Sequence, residues 1–99
     1  MKEKIKVIIS EINGVTDMLY QQRQSEAFQK FSTFLSELTT ISEQFFSLKN
    51  QGSLEFDEKN YLRILTEAMN ALETRDDVLL ADILNYDLIE LLEEINTQL

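Results

Sequence analysis

From Ala27 to Leu48 the apolar residues Ala27, Phe31, Phe34, Leu38, Ile41, Phe45 and Leu48 follow one another in alternating steps of four and three. Such steps return to one side of an α-helix and are incompatible with a strand, whose faces alternate every second residue. Phe28, Leu35 and Phe46 widen the stripe beyond the seam of a two-stranded coiled coil, so this helix is expected to touch two neighbours in a bundle. Five of the six phenylalanines lie here, and at this spacing they read as core.

The rest of the chain extends the pattern. Ile5, Ile8, Ile9, Ile12, Val15 and Leu19 form one helical face and predict a first helix over about residues 2–21. Gly14 lies opposite that face, near Val7 and Met18, and reads as a tolerated surface glycine, the alternative being close approach of another helix. The polar residues 21–25 contain neither Gly nor Pro. A short turn is favoured there over one continuous helix, with Ser25 as the N-cap of a second helix over about 25–49. Asn50-Gln51-Gly52-Ser53 is the clearest break, with Gly52 placed for a left-handed cap. Asp57 is the expected N-cap of a third helix over about 56–73, with core positions Tyr61, Leu62, Leu65, Ala68, Met69 and Leu72. Thr74 with Asp77 makes a weak capping box for a fourth, over about 76–96. The expectation is therefore an all-α single domain spanning 1–99, an antiparallel four-helix bundle with an up-down-up-down path.

Absences narrow the chemistry. With no His and no Cys, the usual general base, the strongest nucleophile and the best transition-metal ligands are missing. The Glu-x-x-His pairs of a di-iron bundle cannot be formed, Asp57-Glu58-Lys59-Asn60 does not continue as a calcium loop, and no glycine-rich phosphate loop is present. The reading is a protein with no enzymatic activity, no cofactor and no metal. A net charge of −9 opposes binding to nucleic acid and to anionic membrane surfaces. No apolar run approaches the roughly 20 residues of a membrane-spanning helix. The lysines and apolar residues of Met1–Gly14 superficially resemble a signal peptide, but Ser10, Glu11 and Asn13 break the run, which reads as mature structure. A chain without Cys suits the reducing cytoplasm, the expected location.

Thr74–Leu99 carries seven acidic residues and no Lys or Arg after Arg75. At about 100° per residue, Leu80, Ala81, Leu84, Leu88, Leu91, Leu92 and Ile95, with Val78 and Ile89 at the edge, occupy one half of the wheel, and Asn85 lies within it. On the other half Leu79, Ile83 and Tyr86 stand among Asp82, Asp87, Glu90, Glu93 and Glu94. Either the helix is central and packs on two sides, or Leu79, Ile83 and Tyr86 form a contact ridge with Asp82, Asp87 and Glu90 beside it. The second reading predicts a protein-binding module whose partner is a second copy, in a homodimer, or a basic or amphipathic helix.

Two resemblances bear on this helix. Tyr86-Asp87-Leu88-Ile89-Glu90 resembles the tyrosine-x-x-x-acid export signal of small helical type VII secretion substrates, which implies an exported protein as the alternative function; their Trp-x-Gly turn is absent. The segment from Ala71 to Ile95 resembles the C-terminal signature of a family of small, largely uncharacterised helical proteins of low-GC Gram-positive bacteria. It is carried by Ala71-Leu72-Glu73, Asp77, Leu79-Leu80-Ala81-Asp82 and Tyr86-Asp87. Relatives linked with motility genes imply an accessory or chaperone-like role.

Overall fold

Three turns divide the chain, and all three close by the same backbone device. A computed structural model describes residues Met1–Leu99: α1 (Lys2–Tyr20), α2 (Gln24–Asn50), α3 (Glu58–Glu73), α4 (Asp77–Asp82), a π-helical segment (Ile83–Leu88) and α5 (Ile89–Asn96). The last three run on without a break in helical backbone angles and act as one C-terminal helix, so the protein consists of four helices and no strand. Each of the first three helices ends with a left-handed residue: Gln22 at φ 62°, Gly52 at φ 78° and Arg75 at φ 58°. At each, the next amide reaches back to the carbonyl of the helix's third-last residue: Arg23 N–H to Met18 O at 2.8 Å, Ser53 to Leu48 at 2.9 Å and Asp76 to Ala71 at 3.0 Å.

Glycine alone adopts this conformation without steric penalty, so the middle turn is the one legible in the residues. Helices one and two are therefore separate. Gln22→Gly is expected to stabilise the fold by about 0.5–1 kcal/mol, read as a shift in the midpoint of urea unfolding.

Asp57 caps α3 as expected, accepting from the Asn60 amide at 3.1 Å. The other two caps differ from expectation. Ser25 lies inside α2, whose preceding residue Arg23 offers no side-chain cap. Thr74 turns its hydroxyl back to Asn70 O at 3.0 Å, completing α3, and Asp76 caps α4 by accepting from the Leu79 amide at 3.1 Å. With Arg75 left-handed, the chain reverses one residue later than a Thr74 cap would require, and the carboxylate nearest the free amides is that of Asp76.

α1 lies between α2 and the C-terminal helix, and α3 packs against the first part of that helix, α4 and the π-helical segment. The core comprises 25 buried residues, including Ile5, Ile12, Val15, Phe34, Phe45, Leu80, Leu88 and Ile95. Between α2 and α3 the contact is made by rings. Tyr61 is fully buried with its ring centroid 6.3 Å from Phe45 and 5.6 Å from both Phe46 and Phe56. Its hydroxyl bonds to Ser42, which spends its own proton on Leu38 O at 2.7 Å, so Tyr61 is the donor. Leu54 and Phe56, in the connection before α3, are buried too. That connection is held by Lys49 Nζ on Phe56 O at 2.6 Å and by Gln98, which bonds both the N–H and the C=O of Glu55.

Gly14 has only the tip of Lys30 near it, at 3.8 Å from where a Cβ would stand, an ordinary contact. No backbone approach requires glycine. Gly14→Ala is expected to raise stability by about 0.5–1 kcal/mol in a chemical melt, since it removes a mid-helix glycine at no steric cost.

Candidate functional site

α3 carries two apolar stripes. Tyr61, Ile64, Ala68 and Ala71 face the core and are buried. Leu62, Leu65, Met69 and Leu72, at steps of three and four, run alongside; Leu65 and Leu72 are half-buried, while Leu62 and Met69 are 48% and 41% exposed. The expectation of Leu62 and Met69 in the core is thus corrected. Both stripes have helical periodicity, and small Ala68 and Ala71 win the inner position because they let α3 approach the C-terminal helix closely.

Across from the outer stripe, α2 offers Phe31, Leu35, Leu38 and Phe46. The helices diverge from the ring cluster at Tyr61, leaving an apolar groove of about 530 Å³ with Leu84 and Leu88 of the π-helical segment in its lining. A second, adjoining hollow shares Phe31 and Leu35 with it and is lined also by Phe28 and Leu72, where the Arg75 guanidinium lies 5.4 Å from the Phe28 ring centroid. Ser36, Thr39 and Glu43 line the groove from α2.

The π-helical segment also decides what becomes of the ridge on the C-terminal helix. Leu79 and Tyr86 are exposed, at 46% and 62%, and so is Glu90, whereas Ile83 is 5% exposed and belongs to the core. At 100° per residue, Ile83 and Leu88 would stand about 140° apart; with hydrogen bonds running from i to i+5, residues five apart come onto one side. Ile83 is thereby carried inward with Leu88, and the expected three-residue ridge is reduced to Leu79 and Tyr86. Val78, expected at the core edge, is 60% exposed.

The acids of this face are not equally free. Asp82 is half-buried and accepts a hydrogen bond from Tyr20 Oη at 2.6 Å; that bond, then burial and the carboxylate charge, push the Tyr20 phenol up to about 12. Asp77 is bonded by Gln24, so two carboxylates of the C-terminal helix hold the α1–α2 turn. Asp87 is half-buried as well. Tyr86 and Glu90, the fixed positions of the tyrosine-x-x-x-acid pattern, both face solvent.

Elsewhere one carboxylate is perturbed. Glu11 of α1 has its pKa raised, first by burial and then by the charge of Glu37 on α2, against partial relief from Lys30; one of its oxygens has no hydrogen-bond partner. A raised native pKa means the folded state binds the proton more tightly, so this site's stabilising contribution is present below the ordinary carboxylate range and is lost as pH rises through the raised value. Glu11→Gln is therefore expected to raise the melting temperature at pH 7 and to flatten its decline between mildly acidic and neutral pH. A mutant melting below the wild type at pH 7 would contradict this. No three Asp or Glu residues converge as a metal would require, and no helix is long and apolar enough to cross a membrane.

The profile of DUF8042, a domain of unknown function, matches residues 1–98. The chain belongs to that family. The match spans all four helices, far beyond the C-terminal quarter that carries the resemblance to uncharacterised helical proteins. No curated protein and no solved structure matches the chain.

The groove escapes sequence reasoning because the expected core positions of α3 combine both stripes, Tyr61 and Ala68 of the inner with Leu62, Leu65, Met69 and Leu72 of the outer. The signal was nevertheless present: α3 has apolar residues on more of its circumference than one buried face accommodates.

Proposed function

We propose that this DUF8042 protein is a non-enzymatic, cytoplasmic protein-binding module, accessory or chaperone-like in kind, that offers its α2–α3 groove to a partner polypeptide. The observation that carries this reading is the second stripe of α3, on which Leu62 and Met69 are both exposed and Met69, with Leu65, lines an apolar channel. Contiguous exposed apolar surface is costly in a small protein and marks interaction sites. Support for an up-down-up-down path comes from α1 lying against both α2 and the C-terminal helix, and from Phe46 meeting Tyr61 while Phe28 meets Arg75, which sets α2 and α3 in opposite directions. In this reading the α2–α3 seam is the open one.

Leu79 and Tyr86, with Glu90 nearby, supply a smaller secondary contact, and a homodimer through either surface is the competing arrangement. The likeness of the C-terminal signature to motility-linked proteins of low-GC Gram-positive bacteria favours an accessory role. The test is affinity capture from the native cell, with circular dichroism verifying the fold of each variant. Met69→Asp is expected to abolish recovery of the partner and Leu79→Asp to leave it largely intact. The reverse pattern would move the function to the C-terminal helix, and light scattering of the purified chain decides between monomer and homodimer.

A further inference from the structure

The chemistry of the groove defines its occupant more closely, granting that the groove is the binding site. We infer that it receives one amphipathic, basic α-helix of about 18 residues from another protein, running parallel to α3. Length comes first. The groove and the hollow that adjoins it at Phe31 and Leu35 together run from Phe28 to Phe46 along α2, eighteen helical steps, or about 27 Å at 1.5 Å per residue. An elongated open channel of that length matches a helix of five turns better than a compact small molecule. Its walls repeat at helical spacing on both sides, Phe28, Phe31, Leu35, Leu38 and Phe46 on α2 and Leu65, Met69 and Leu72 on α3, so ridges of a third helix can seat between them.

Charge selects the partner. The protein carries 18 acidic and 9 basic side chains. Along the main channel the charged side chain is Glu43, and the one cation at the groove is Arg75, at its far end over Phe28. Arg63 is engaged by Glu67 at 3.0 Å, Lys49 by Phe56 O at 2.6 Å and Arg23 by Glu26. The main channel thus presents one carboxylate and no cation to a docked helix, in a chain of net charge −9 that favours lysines and arginines on the helix's outer face.

A second copy fits poorly. Its exposed large apolar residues are scattered over Met1, Val7, Tyr20, Val78, Leu79, Tyr86 and Leu99 beyond the groove itself, its C-terminal helix exposes Glu90, Glu93 and Glu94, and two chains of −9 repel. Orientation follows from the two ends. The negative end of a helix dipole is favoured beside Arg75 and the positive end beside Glu43, which places the occupant's carboxyl terminus near Leu72 and its amino terminus near Phe46.

The probe is a synthetic, end-capped 18-residue peptide with leucines at helical spacing and lysines on the remaining face. Its controls are the same residues reordered to remove the periodicity, and a version with glutamate for lysine. Fluorescence anisotropy with the full chain at physiological salt is expected to show saturable one-to-one binding at least tenfold tighter than either control. Met69→Asp should weaken it tenfold or more, while Leu79→Asp should change it less than twofold. A nitroxide at the peptide's carboxyl end should broaden the NMR signals of Leu72 and Phe28, and one at its amino end those of Phe46.

Equal binding of the reordered peptide, preference for the glutamate version, or no saturable binding overturns the inference, and so does a dimer seen by light scattering that Met69→Asp dissociates. Reversed broadening overturns the orientation. If capture of a native partner depends on Met69 but the basic peptide does not bind, the binding-module reading stands and the basic helix falls; if neither depends on Met69, both fall.

Discussion

Tyr61→Ala is expected to remove about 3–5 kcal/mol of folding stability, the usual loss for deleting a buried aromatic ring. Against the roughly 5–15 kcal/mol available to a domain of this size, that brings the protein close to its unfolding threshold. The size of the effect follows from placement. Tyr61 is fully buried and touches Phe45, Phe46 and Phe56 at once, so its loss unsupports the side chains that join α2 to α3. Tyr61→Phe separates ring from hydroxyl. Ser42 retains its bond to Leu38 O, and the expected loss is only about 1 kcal/mol. Urea unfolding of the two variants measures both, and a Tyr61→Ala loss near 1 kcal/mol would contradict the ring cluster.

The second large effect concerns Ile83. Ile83→Asp is expected to cost about 3–5 kcal/mol, because it places an unpaired carboxylate in the core, whereas Leu79→Asp should stay within about 0.5 kcal/mol. A regular α-helical register sets both residues on the acidic face and predicts similar, small losses. The pair of melts is thus a direct measurement of helical register in the π-helical segment, and equal losses would refute the buried position of Ile83.

Helix type and approximate ends were legible because they depend on periodicity and on local caps. The seven-residue stripe from Ala27 to Leu48 and the Asp57 cap reappear in α2 and α3 where the residues indicate them. The left-handed turns at Gln22 and Arg75 were not legible, since neither residue favours that conformation and the packing of the helices imposes it. The same holds for α3. Its two stripes have equal periodicity, and only the neighbouring helix decides that Ile64 and Ala71 lie inside and Leu62 and Met69 outside. The π-helical segment has no residue signature, so a wheel drawn through Leu79, Ile83 and Tyr86 rotates too far and places Ile83 among the acids. The groove, built from the outer stripe of α3 and lined by the π-helical segment, depends on both of these tertiary choices.

α1 is the one helix that α2 lies against along its length, while α2 meets α3 chiefly through rings clustered at one end. Amide hydrogen exchange should consequently sort the molecule into two cooperative units, with the first half of α2 opening at lower free energy than α1 or the C-terminal helix. The groove then has one compliant wall and one stiff one. Its breadth can follow the bulk of whatever enters, so that selection among guests falls on their charge and periodicity more than on the size of any single side chain.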